Sequence, residues 1–557
     1  PSERRALIAL LAVFAALLFV ELPGSWLIGP DEARYAEIPR EMLATHDFVT
    51  PRLDSARYFE KPPLLYWLNA ASMSVFGESA FAARLPTRLA ALATAAVLVV
   101  ELESAATPLL GLWAALILLT APFSWVLGRY NITDGVLTLA LTLAFFALRR
   151  FLAARESGDA RGIRARGALA ALGAATAFAV LAKGLIGIVF PGLVFLFWIA
   201  ITGRWRRLGE LLWSPAPIVF LLIAAPWFVL VERANPGFAA IFFVREHFAR
   251  FATSEARRGG PIYYFVAAFI VGFLPWTVAF PRALAPLRDA WRTRARAHGD
   301  ALFFGLWFFV ILVFFSVSHS KLLPYILPAF PAAAVLTARA LMNGEMREPW
   351  TRHLTGHAVL VTLVVAGGLT FGEMSGEMRH YSVLPLALLG GGLLVAGAWT
   401  AVARAPAHGR RAFFPAVLGW GGLYLALALA MPRVAGDLTA HKLAVAAMNA
   451  GAGAEIVSYR CYPQEFPWVL RHPIAVADYV DELGSDGVRS PALFWSREEF
   501  WRRWNSDARM VVVVTRRTRA EFDTASRAAT PLAANRKYVV LANFAGSPDS
   551  APPAITR

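Results

Sequence analysis

The chain of 557 residues contains one cysteine, Cys461, which excludes an intramolecular disulfide and any cysteine-rich metal site. Charge is also scarce: Asp, Glu, Lys and Arg together make up 17% of the residues, and the 38 acidic residues are outnumbered by 54 basic ones, for a net charge of +16. No glycine-rich phosphate loop follows a strand-like run and opens a helix, so a nucleotide cofactor is not expected. GAGAE at 451–455 precedes such a run and reads as a turn. The basic excess does not indicate nucleic acid, because the arginines fall in clusters between apolar segments and not along one continuous groove. The first apolar run, Ala6 to Leu22, follows Glu3, Arg4 and Arg5 without a good small-residue cleavage site, and reads as a retained helix.

Apolar residues are what the chain has in abundance. They make up 57% of it, mean hydropathy is +0.52, and windows of about twenty residues almost free of charge recur along its length. This predicts a polytopic α-helical membrane protein with about thirteen spans. After the first, they fall near 83–103, 108–126, 133–151, 166–183, 185–202, 211–231, 261–280, 301–318, 322–342, 354–372, 381–403 and 412–432. Arginine clusters follow every even-numbered span: Arg149, Arg150, Arg155, Arg161, Arg164 and Arg166 after the fourth, Arg204, Arg206 and Arg207 after the sixth, Arg288, Arg292, Arg294 and Arg296 after the eighth, and Arg404, Arg410 and Arg411 after the twelfth. The positive-inside rule then predicts an N-terminus on the cytoplasmic side, and puts the 24–82 and 232–260 loops and everything beyond residue 432 on the opposite side. Residues 1–432 form the expected membrane domain. Residues 433–557 read as a soluble α/β domain, with EIVSYRCY, MVVVVT and KYVVLANF as strands and SREEFWRRWN as a helix. Cys461, or an engineered exposed cysteine nearby, would report the side of that domain to a thiol reagent that cannot cross the membrane.

The polar residues concentrate in the first loop. Gly29 to Pro63 holds seven acidic residues (Asp31, Glu32, Glu37, Glu41, Asp47, Asp54 and Glu60) and five basic ones (Arg34, Arg40, Arg52, Arg57 and Lys61). Pro30 with Asp31 and Glu32 marks the first turn of a helix, where proline forfeits no hydrogen bond and carboxylates meet the positive end of the dipole. Helical spacing puts Asp31, Arg34, Tyr35 and Ile38 on one face. A solvated amphipathic helix would account for the same residues. Against it stands the crowding of Arg57, Tyr58, Glu60 and Lys61 before Pro62, Pro63 and the interfacial LLYWL. Three further polar groups fall on the same expected side. In RYNITDG, Thr133 can cap the next helix and leave Asp134 in its first turn. The 244–261 loop carries Arg245, His247, Arg250, Arg257 and Arg258, an excess suited to a lipid phosphate or to anionic headgroups. SHSKLLPYILP carries His319, Lys321 and Tyr325, and Lys183 lies in the short turn AKG; either lysine can also snorkel. Cations gathered at one face beside apolar grooves suit a substrate whose phosphate lies at the headgroup level. A transporter of lipid-linked sugars, the alternative of another class, would place polar residues through the midplane.

These motifs resemble a known family. DEARYAEIPREML with RYFEKPPLLYWLN, ARLPTRLAAL at 83–92, TDG at 133–135, AKG at 182–184 and SKLLPYILP at 320–328 are similar to the aminoarabinose-to-lipid A transferases of the GT-C superfamily, relatives of the dolichyl-phosphate-mannose protein mannosyltransferases. The resemblance implies a bacterial inner-membrane enzyme with thirteen helices and a periplasmic active site and C-terminal domain. It would be an inverting glycosyltransferase moving 4-amino-4-deoxy-L-arabinose from undecaprenyl phosphate to lipid A phosphates, a modification tied to polymyxin resistance. GT-C transfer to a protein or another glycan is the alternative within the class. The resemblance puts the catalytic acids at Asp31, Asp134 and Glu60. The donor phosphate is expected among Lys61, Arg34, Tyr58, Arg57, Arg245, Lys321 and Tyr325. A divalent metal is a further expectation, with Glu60, Asp134 and His247 as ligands. The expected partners are the undecaprenyl-phosphate-linked donor, lipid A and the bilayer, with no nucleic acid, and the expected working unit is a monomer.

Overall fold

The computed structural model describes residues 2–103, 107–156, 162–243, 259–293, 299–342, 351–450, 453–479, 483, 492–523 and 527–544. They form two compact units, one of residues 1–21, 61–65 and 84–430, the other of residues 22–60, 66–83 and 431–557.

Among its described residues the first unit contains helices and no strand. Among the described residues eight helical stretches are long and apolar enough to span a bilayer, nine if the bent pair Leu110–Thr120 and Pro122–Arg129 counts as one span. Thirteen were expected, and each expected segment meets helix. The numbers differ for local reasons. The last two expected spans run into one stretch, Leu384–Leu438, of 55 residues. Ile186–Thr202 has only 17 residues, and Ser2–Phe19 carries three charges in its first turn. The expected span at 261–280 ends as an α-helix at Gly272, with only a short 3-10 turn at Trp276–Val278 beyond. Pro122 opens the second half of the bent pair, where its missing N–H needs no partner, and the axis turns by 68° there. Small residues let the helices approach closely: a side chain at Gly173 would overlap the backbone of Ala216 on the Pro215–Ala234 helix. That helix leaves Ile218, Leu221, Leu222, Val229 and Leu230 exposed, an apolar face that only lipid hydrocarbon or another apolar surface can cover.

In the second unit a six-stranded mixed sheet has the order 494–495, 475–477, 455–459, 510–515, 538–542, 530–534. The first four strands are parallel, and the last two pair antiparallel with their neighbours. The three strand-like runs and the Arg497–Trp504 helix, capped by the Ser496 hydroxyl on the Glu499 amide, appear as the sequence predicts. Phe500, Trp504 and Phe522 cover Val457, Tyr459, Val512 and Val514 on one face of the sheet. Cys461 is buried in this unit, its thiol pushed up to about 12 by burial. It is therefore a poor target for a thiol reagent, contrary to expectation; a sidedness probe needs an engineered cysteine at an exposed position such as Asp507.

Candidate active site

The helix carrying the DEARY motif runs from Asp31 to Thr45, and every residue from Glu32 to Met42 is buried. The solvated amphipathic helix is thereby set aside. Charges at that depth need partners. Glu32 reaches back to accept the Ile28 amide at 2.9 Å. Glu37 takes both ends of the Arg40 guanidinium, at 2.7 and 2.6 Å. Pro39 sits inside the helix and has no N–H to give the Tyr35 carbonyl four residues before it; Asn69 supplies the missing donor at 2.9 Å. Glu41 accepts the amides of Asp54 and Ser55, at 2.5 and 3.0 Å. Both residues have left-handed backbones, with φ of 55° and 65°, as the two-residue turn between the strands Arg52–Leu53 and Ala56–Arg57 requires. This hairpin delivers Tyr58, whose amide bonds to the Pro51 carbonyl at 2.8 Å.

The result is a cluster centred on Arg34. Its guanidinium is buried, donates to the Tyr58 hydroxyl at 2.9 Å and to Gln464 Oε1 at 3.4 Å, and lies 3.7 Å from the Asp31 carboxylate. Asp31 differs from its neighbours in being 46% exposed. Burial holds the Tyr58 phenol well above its ordinary value, with the Arg34 charge opposing and Glu60 adding to the rise, so Tyr58 is a neutral donor or acceptor at physiological pH. Tyr35 is likewise raised, by burial and then by the charge of Asp31. The Tyr66 ring lies 6.0 Å from that of Tyr35, and among the described residues its buried hydroxyl has no hydrogen-bond partner. Arg57 and Glu60 are half-buried, and the Arg57 guanidinium stands over the Phe59 ring at 5.9 Å.

The other expected site residues belong to the first unit. Asp134, in the first turn of the Thr133–Glu156 helix, forms an ion pair with Lys183, both side chains being less than a tenth exposed. Lys183 does not snorkel; its ammonium also stands 4.6 Å from the centre of the Tyr325 ring. Lys321 is buried too, donating to the carbonyls of Phe315 and Ser316 at 3.0 and 2.6 Å, where it satisfies the end of the Gly299–Val317 helix. Lys61 is half-buried. Arg245 and His247 lie outside the described residues. Among the described residues no three His, Cys, Asp or Glu side chains gather in a metal-binding group. The ammonium of Lys183 already neutralises the Asp134 carboxylate, and a second cation fits poorly there.

Two further arrangements were not read from the sequence. Glu21, at the end of the first helix, accepts from both Arg84 and Arg88, the latter at 2.7 Å; the two arginines sit four residues apart in ARLPTRL, one turn of one helix face. Gln464 lies in the C-terminal domain, and its contact with Arg34 brings it into the cluster.

Residues 6–242 match the family described as dolichyl-phosphate-mannose-protein mannosyltransferase, and residues 443–543 match the aminoarabinose transferase C-terminal domain. An undecaprenyl phosphate-alpha-4-amino-4-deoxy-L-arabinose arabinosyl transferase of Aeromonas salmonicida is 36% identical over 384 residues, covering 65% of this chain and 67% of its own. The chain belongs to the aminoarabinose transferase family. A transferase of the same name from Edwardsiella ictaluri is 35% identical over 335 residues, but there the chain spans only 58% of the relative's length. The crystal structure of ArnT from Cupriavidus metallidurans bound to undecaprenyl phosphate superposes with a TM-score of 0.81 at 28% identity, over 97% of both chains. Membership in this family accounts for a polar first loop in a chain of apolar helices and for a C-terminal mixed sheet without a nucleotide motif.

Proposed function

We propose that the protein transfers 4-amino-4-deoxy-L-arabinose from undecaprenyl phosphate to a phosphate of lipid A, at the periplasmic face of the bacterial inner membrane. The observation that carries this reading is the half-exposed Asp31 carboxylate, held beside a buried guanidinium at the start of a helix that is buried from Glu32 to Met42. The donor named for the relatives, and the undecaprenyl phosphate bound by the Cupriavidus structure, support the choice of carrier.

In the proposed step the bond between the anomeric carbon and the carrier phosphate oxygen breaks, and the electron pair stays on the carrier phosphate. An acceptor phosphate oxygen forms the new bond from the opposite side, inverting the centre. An ionised phosphate needs no general base. Asp31, with Glu60, then orients the acceptor and stabilises positive charge on the sugar as the old bond lengthens; a hydroxyl acceptor would instead need Asp31 as base. Lys61 is the proposed holder of the carrier phosphate as its negative charge grows; Arg34, Arg57, Tyr58 and Arg245 are the other candidates for that anion. Asp134 and Lys321 are weaker candidates for chemistry, since the first is neutralised by Lys183 and the second is bound to two carbonyls. Tyr325, under Lys183, acts with that pair. Mass spectrometry of lipid A from cells with and without the gene tests donor and acceptor together: gain of one aminoarabinose per modified phosphate is expected, and unchanged lipid A would overturn the proposal.

A further inference from the structure

We infer that the C-terminal domain is part of the catalytic apparatus, and that Gln464 is a positioning residue that fixes Arg34 and, through it, Asp31 and Tyr58. The inference rests on the function proposed above. It starts from four contacts, buried or partly buried, that residues 464–474 make with the first loop, all within one compact unit. Gln464 Oε1 accepts from Arg34 Nη2 at 3.4 Å. The Glu465 carboxylate lies against Gly29, two residues before Asp31, where an added side chain would overlap it. The Arg471 carbonyl accepts from Arg40 at 3.1 Å, and the Ile474 amide donates to Asp54 at 2.8 Å.

Of these, only Gln464 touches a residue of the charged cluster. Arg34 is 3% exposed and Gln464 6%, so water is a poor substitute for a lost acceptor, and a buried guanidinium short of acceptors is costly. The guanidinium is a planar fork. Gln464 on Nη2 leaves Nη1 facing Tyr58 and Asp31, so removing the first contact lets the plane rotate and the other two drift. Small misplacements of this kind reduce turnover more than substrate affinity.

The test is a double-mutant cycle on the full-length protein in nanodiscs, with undecaprenyl-phosphate aminoarabinose as donor and lipid A as acceptor. Gln464→Leu keeps the volume and removes the acceptor; it should lower kcat about tenfold while donor KM stays within about twofold and the thermal midpoint is unchanged. Gln464→Glu keeps an acceptor and should recover most of the loss. In an Arg34→Lys background, Gln464→Leu should cost less than about twofold, because the group it acts through has gone. Equal losses in both backgrounds, an unchanged kcat, or a fall in kcat that tracks a fall in thermal midpoint would overturn the inference. Hydrogen exchange at residues 31–35, faster in Gln464→Leu than in wild type, reads the same loosening without turnover, and unchanged exchange would count against it. Folded wild-type protein that transfers nothing counts against the proposed function, and the exchange result then still decides the role of Gln464.

Discussion

Two acid and base pairs, one in each unit, show how the same residue types reach opposite states. Asp134 and Lys183 are both buried and joined directly, so each cancels the other. Asp31 is half-exposed and stands 3.7 Å from an arginine that donates to Tyr58 and Gln464. The first pair is closed. The second leaves a carboxylate whose charge is oriented but not consumed, the condition a reacting sugar needs. Burial is the difference: a tight pair at the surface contributes little, whereas a deep one locks two elements, here the helices that begin at Thr133 and end at Lys183.

The sharpest break of this comparison is Asp31→Asn. It keeps the volume and removes the charge, and should lower transfer by about a thousandfold with a thermal midpoint close to wild type. Retained turnover, or a large loss of stability, would make Asp31 a structural residue. Lys61→Ala comes next. A charge-assisted contact of roughly 1.5 to 3 kcal/mol corresponds to a ten- to hundredfold loss in turnover or donor affinity, and Lys61→Arg should restore part of it. A change below about twofold would shift the phosphate site to other cations.

The closed pair should answer in stability first. Lys183→Met strands a buried carboxylate at a cost of roughly 3 to 5 kcal/mol, and adding Asp134→Asn should recover much of that, both read as thermal midpoints in detergent. A midpoint unaffected by Lys183→Met would mean that the pair is not closed. The smallest effect is a slope with pH. Burial, and then the charge of Glu37, push Glu41 from an ordinary 4.5 up to about 7. Glu37 and Asp54 are raised as well, chiefly by burial. Between those two values the native state holds a proton that the unfolded chain has released, so stability is greatest on the acid side and falls as pH rises toward 7. One such proton contributes at most about 1.4 kcal/mol per pH unit, and Glu41→Gln should flatten the slope of midpoint against pH. A midpoint that climbs from pH 5 to 7 in the wild type would contradict the burial of these acids.

Much of this was legible in the residues. The helix of the DEARY motif could be placed from Pro30 and two acids, and the three strands from their apolar runs. The family motifs pointed to Asp31, Tyr58, Glu60 and Lys61. What escaped was the fate of each charge. Nothing local separates Glu41, buried under a hairpin turn, from Asp31, ten residues earlier on the same helix and open to solvent. Lys183 in AKG, for which snorkelling was one of two open readings, and the phosphate-binding lysine expected in SKLLPY each find an acceptor within the fold.

The sequence by itself determined a helical membrane protein with a polar first loop and a C-terminal α/β domain, because hydropathy, turn chemistry and periodicity act over a few residues and survive without tertiary context. Only the tertiary structure decided that Lys183 neutralises Asp134, that Asn69 repairs the gap left by Pro39, and that Gln464, 430 positions away, accepts from Arg34. The physical reason is desolvation: whether a charge is free, paired or raised in pKa depends on what excludes water from it, and the excluding residues come from elements far apart in the chain.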